Sequence, residues 1–96
     1  MRPSRILEEN RSAIRDAAAR HLVLNPRVFG SAVHGTDTES SDLDLLVDPL
    51  QSATLFDLGE LQMELEQILH VRVEVLTPAD LPASFRQNVL NEAQSI

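Results

Sequence analysis

The 96-residue chain has no cysteine, tryptophan or tyrosine and only three phenylalanines. Without cysteine there is neither a disulfide framework nor a thiolate metal site, which suits a reducing compartment. With so few aromatics the core must be small and aliphatic. No apolar run reaches the roughly 20 residues that a membrane span requires, and Met1 to Arg20 is charged throughout rather than signal-like. The expectation is a single domain over residues 1–96, located in the cytoplasm and making no membrane contact. Positive charge is scarce as well: eight Lys plus Arg against 15 Asp plus Glu leave a formal −7. Such a field repels phosphate backbones, so nucleic acid is not an expected partner. A bound nucleotide would need local cations, most simply divalent metal ions.

The chain shows no internal repeat, low-complexity tract or linker. Ser4 is expected to cap a first helix running to about Leu22, with Leu7, Ile14, Ala17, Ala18 and Leu22 on one face and Asn25-Pro26 as its stop. Arg27 to Phe29 reads as a short strand ending at Gly30, Thr36 to Ser41 as a polar loop, and Leu43 to Val47 as a second strand closed by Asp48-Pro49. Asp57 is expected to cap a helix carrying Leu58, Leu61, Leu65, Ile68 and Leu69 at helical spacing. Val71 to Leu76 alternates as a strand, and a last helix is predicted from about Pro82 with Phe85 and Val89 inward. The order predicts an α/β (α+β) domain, a small mixed sheet flanked by helices.

Two aspartates interrupt the second strand. Side chains alternate faces along a strand, so Asp42 and Asp44 point one way while Leu43, Leu45 and Val47 point the other. Carboxylates so close repel each other, and a divalent cation between them removes the conflict; hard oxygen ligands suit Mg²⁺ or Mn²⁺. If the third strand adjoins the second, Glu74 comes alongside the pair. Three carboxylates around two metals form a clamp for in-line phosphoryl or nucleotidyl transfer. An i, i+2 aspartate pair on an exposed strand face is common and by itself signals nothing.

What changes the balance lies upstream. Gly30 leaves an apolar strand where the backbone must turn sharply or approach a ligand, and Ser31 opens a short helical turn through His34 that Gly35 ends. A hydroxyl and backbone N–H groups at such a turn bind phosphate. A lone Gly-Ser is worth little, but followed by a same-face aspartate pair on the next strand it makes a phosphate cradle beside a metal site.

Gly30-Ser31, ten intervening residues, then Asp42-Leu43-Asp44 resembles the signature of the nucleotidyltransferase superfamily that includes DNA polymerase β. The short length, "FGSAVHG" and "SDLDLLV" resemble most closely the minimal nucleotidyltransferases, antitoxins of HEPN–MNT toxin–antitoxin modules; "VRVEVLTPADL" and "FRQNVLNEA" extend the likeness over nearly the whole chain. The resemblance implies the polymerase-β-like fold, with Asp42, Asp44 and Glu74 as catalytic metal ligands for two Mg²⁺ ions and Gly30 and Ser31 on the phosphates of ATP. It implies AMP transfer from ATP to a hydroxyl of a cognate HEPN toxin, with loss of pyrophosphate. Having no tyrosine, the chain must find a tyrosine acceptor on another molecule.

Two residues depart from the pattern. The third carboxylate of the wider superfamily is typically Asp, and a shift of about a bond length in a reacting group can cost roughly a hundredfold in rate. Relatives often carry a basic residue after Gly-Ser, where this chain offers only His34, a weak donor at neutral pH. Hence two functions compete: an active adenylyltransferase, and a weak or inactive nucleotide- or metal-binding antitoxin that neutralises its toxin by direct binding. An interaction domain without ligand is the bland third.

Other acidic and basic residues read as structural. Asp37 to Asp44 fails as an EF-hand because no glycine sits at the required turn. Asp48 is expected to be a turn residue, Asp80 a loop residue, and Glu60, Glu64 and Glu66 a solvated helix face. His21 and His70 fall at element ends. Arg72 shares the face of Glu74, where it can steady that carboxylate, contact phosphate or form a cross-strand ion pair.

Overall fold

A computed structural model describes every residue, Met1–Ile96. The order is α1 (Pro3–Glu9), α2 (Arg11–Arg20), β1 (Val23–Phe29), α3 (Ser31–His34), β2 (Leu43–Pro49), α4 (Leu55–Leu69), β3 (Val73–Leu76), a 3₁₀ turn (Pro78–Asp80), α5 (Ala83–Glu92) and β4 (Gln94–Ser95). The strands form one mixed sheet in the order β3-β2-β1-β4, with β1 antiparallel to both neighbours and β2 parallel to β3. This is the α/β architecture expected, and no helix is long and apolar enough to cross a membrane.

One sheet face is covered by helices. Val28, Leu43, Leu45, Val47, Val73 and Val75 pack with Ile14, Ala17 and Ala18 of α2 and Leu61, Leu65 and Leu69 of α4 in a single aliphatic core. The alternation along β2 dictates which residues remain for the other face: Asp44, Leu46 and Asp48. Leu46 is fully buried there, and Leu81, just beyond the 3₁₀ turn, is nearly so. The carboxylate face therefore carries a small apolar contact of its own.

Several local expectations are corrected. The first helix is two: Asn10, at φ −132°, breaks it and turns its side-chain amide back to the Ile6 carbonyl at 2.8 Å. Ser4 caps nothing; it lies inside the first turn of α1 and donates its N–H and hydroxyl to Asp37 at 2.8 and 3.2 Å. Asn25-Pro26 does not terminate a helix but lies within β1, where Asn25 takes φ +52° and the register to β2 shifts between Leu24 and Arg27. The cap of α4 is Thr54, and Asp57 returns the bond from the third helical position, 2.7 Å from the Thr54 N–H. Asp48 is a strand residue, gripped by both terminal nitrogens of Arg27 at 2.9 and 3.0 Å. Phe85 stays exposed and α5 buries no side chain, so the inward face expected for it is not formed.

Candidate active site

Three segments meet at one end of the carboxylate face. β1 delivers Gly30, β2 begins at Leu43 just after Asp42, and β3 runs alongside from Val73. In the register, Asp44 stands opposite Phe29 on one side and Glu74 on the other. Glu74 is thus the immediate cross-strand neighbour of Asp44, and Asp42 shares their face by alternation. The Leu43 N–H bonds the Arg72 carbonyl at 2.8 Å, which fixes this register one residue before the aspartate.

Gly30 is shaped by the same neighbour. It takes φ +76°, open to glycine and strained for other residues, and a Cβ added there would overlap Asp44 Oδ2. The glycine is needed both for the turn and for the carboxylate that lies against it. Ser31 then opens α3, in which Val33 and His34 N–H groups bond the Gly30 carbonyl at 3.1 and 3.3 Å, and Gly35 closes it at φ +71°.

The electrostatics follow from crowding. Burial pushes the Asp44 carboxyl up to about 6, and the Glu74 and Asp42 charges add to the rise. The cation at hand is Arg72, whose exposed guanidinium lies 3.9 Å from Asp42, a distance for loose ion pairing. His34 turns to Glu92 of α5 instead, Nε2 to Oε2 2.9 Å.

The donor set suits hard divalent cations, being oxygen only and in excess of positive charge. As the side chains stand, no group of three or more His, Asp or Glu converges closely enough to hold a metal ion. The register brings Asp44 and Glu74 together.

One polar residue, weighed in the sequence only as part of a rejected EF-hand, has a structural role. Asp37 is 3% exposed and joins the loop before Asp42 to the first turn of α1. Burial would raise its carboxyl, but the Ser4 hydrogen bonds, with Arg2 nearby, outweigh that and hold it below the ordinary carboxylate range. Its position in a polar loop gave no sign of this, since its partner comes from the other end of the chain.

The mixed sheet and its match to a nucleotidyltransferase domain put the chain in that class. Residues 14–96 match the family described as Polymerase beta, Nucleotidyltransferase, and the chain belongs to that family. Among its relatives, protein adenylyltransferase MntA of Thermococcus cleftensis is 38% identical over 65 residues, 68% of this chain and 66% of that protein. A Methanocaldococcus jannaschii protein, provisionally assigned as a protein adenylyltransferase, is 35% identical over 77 residues, covering 80% of this chain and 83% of its own. A solved structure described provisionally as a minimal nucleotidyltransferase superposes with a TM-score of 0.86 at 39% identity, covering 97% of this chain and 95% of that one. A toxin–antitoxin complex crystallised with AMP-PNP shares the fold, with a TM-score of 0.76 at 20% identity over 90% of this chain and 71% of the other.

Proposed function

We propose that this chain is an antitoxin that transfers AMP from ATP to a tyrosine hydroxyl of a cognate HEPN toxin in the cytoplasm. The observation that carries the reading is the pairing of Asp44 with Glu74 across β2 and β3, with Gly30 shaped to Asp44. The kinship with protein adenylyltransferases supplies the reaction class.

In this reading Asp42, Asp44 and Glu74 would hold two divalent cations, Mg²⁺ or Mn²⁺, which when bound offset the phosphate charge and polarise the α-phosphorus. The Gly30-Ser31 turn holds the outer phosphates and aligns the triphosphate. The acceptor oxygen forms a bond to the α-phosphorus as the bond to the β-phosphate oxygen breaks, and pyrophosphate leaves. In this reading Glu74, exposed on its strand, takes the proton from the incoming hydroxyl.

The alternative is an antitoxin that binds nucleotide or metal and silences its toxin by occupancy. It is favoured by the longer Glu74 side chain and by carboxylates that do not close on one point. Incubating the chain with labelled ATP, Mg²⁺ and the co-encoded toxin separates the two. Label on the toxin that vanishes with Asp42→Asn or Asp44→Asn supports transfer; a toxin bound and inhibited but never labelled supports occupancy.

A further inference from the structure

α4 carries more apolar surface than its own chain uses. Its inner side, Leu61, Leu65 and Leu69, is buried in the core. On the outer side Leu55 and Phe56 are 84% and 83% exposed and Met63 is 64% exposed. Single exposed hydrophobics need no explanation, but these share one side of a helix.

Gly59 lies among them, three residues after Phe56 and four before Met63. Glycine is the poorest helix former apart from proline. A Cβ at Gly59 would meet nothing within 4 Å, so neither backbone conformation nor packing within the chain requires it. A residue without a side chain between two large apolar ones leaves a notch that admits another backbone, as the closest helix–helix contacts demand.

Charge narrows the occupant. α4 holds Asp57, Glu60, Glu64 and Glu66 and no Arg, Lys or His. Asp57 is used in the cap, Glu64 pairs with Arg20 and Glu66 accepts the Val73 N–H. Glu60 remains exposed beside the notch. A second copy would set this acidic helix against itself in a chain of net charge −7. The complement is an apolar ridge flanked by Lys or Arg.

We infer that the outer face of α4, centred on Gly59, is where the toxin docks, through a helix with one apolar stripe and a basic flank. This rests on the antitoxin reading above, which supplies the partner. α4 covers the sheet face opposite the carboxylates, so the acceptor hydroxyl has to reach the candidate active site around the sheet edge or from a second toxin molecule.

The test measures affinity of the full chain for the co-encoded toxin by calorimetry, alongside Mg-ATP binding and thermal unfolding. Phe56→Asp is expected to weaken the complex by about thirtyfold or more with Mg-ATP binding unchanged. Gly59→Ala should raise the melting temperature of the free chain while weakening the complex, a pair of opposite signs that a purely structural role does not produce. Complex affinities within twofold of wild type for both variants overturn the docking surface while leaving the antitoxin reading intact. A wild-type chain that dimerises, and becomes monomeric as Phe56→Asp, overturns it in favour of a second copy. Failure of the wild-type chain to bind toxin overturns both.

Discussion

Asp44 is caught between β1 and β3, with Gly30 against one oxygen and the Glu74 and Asp42 carboxylates nearby. Its carboxyl rises on folding from the ordinary 3.8 to about 6, so the folded chain holds this proton more tightly than the unfolded one. The stability this lends is complete below about 3.8 and is lost as pH climbs through about 6. The metal-free chain should therefore weaken over that window, and Asp44→Asn should remove the loss. Since Asp44 is only partly buried, screening reduces the loss incurred by pH 7, and hence what Asp44→Asn recovers there, to on the order of 1 kcal/mol. Urea midpoints of both proteins at pH 4 and pH 7 check the sign, while AMP transfer by the variant is expected to fall on the order of a thousandfold. Asp37 works through geometry instead. By accepting the Ser4 N–H it caps α1, which has no cap of its own at Arg2. Asp37→Ala should cost about 1–2 kcal/mol in a urea titration, and Asp37→Asn, which keeps an acceptor, less.

At the scale of elements, β1 is the instructive case. Asn25 at φ +52° and a register shift let the strand pass through a proline that has no N–H to give. Asn25→Gly is expected to be nearly neutral, whereas Asn25→Val, forcing a β-branched residue into the left-handed region, should cost about 1–2 kcal/mol by thermal unfolding. The same feature explains a misreading. Asn-Pro is ordinarily a stop signal, and nothing local distinguishes a stop from a bulge whose partner strand lies some twenty residues on. The elements legible in advance were those whose cause is local: the alternation of β2 and β3, the α4 stripe, and the Gly30 and Gly35 ends of α3. Of the candidate site, the common face of Asp42 and Asp44 followed from alternation alone, while Glu74 needed β3 to adjoin β2 in parallel, a fact no spacing encodes. The burial of Leu46 on the carboxylate face, the Arg27 grip on Asp48 and the short β4 all depend on partners distant in sequence. They were not legible for that reason.

Across the whole molecule the dominant fact is excess negative charge, −7 with no metal present. Self-repulsion on that scale opposes compactness and is relieved by screening. Raising NaCl from about 10 to 300 mM, which shortens the screening length from roughly 30 Å to under 10 Å, should raise the melting temperature of the metal-free chain. The increment should shrink for Asp44→Asn and in the presence of Mg²⁺, and differential scanning fluorimetry over a salt series reads both.

The connection His70–Arg72 between α4 and β3 has a length that matters to a single residue. Because strand faces alternate, inserting or deleting one residue there would present Val73 or Val75 beside Asp44 and turn Glu74 inward against Leu61 and Leu65. Two residues added together would restore the parity and a carboxylate-bearing face. Tolerance to such insertions should therefore alternate odd and even, so that this hinge of three residues works as a vernier between the helix and the chemistry it sets in line.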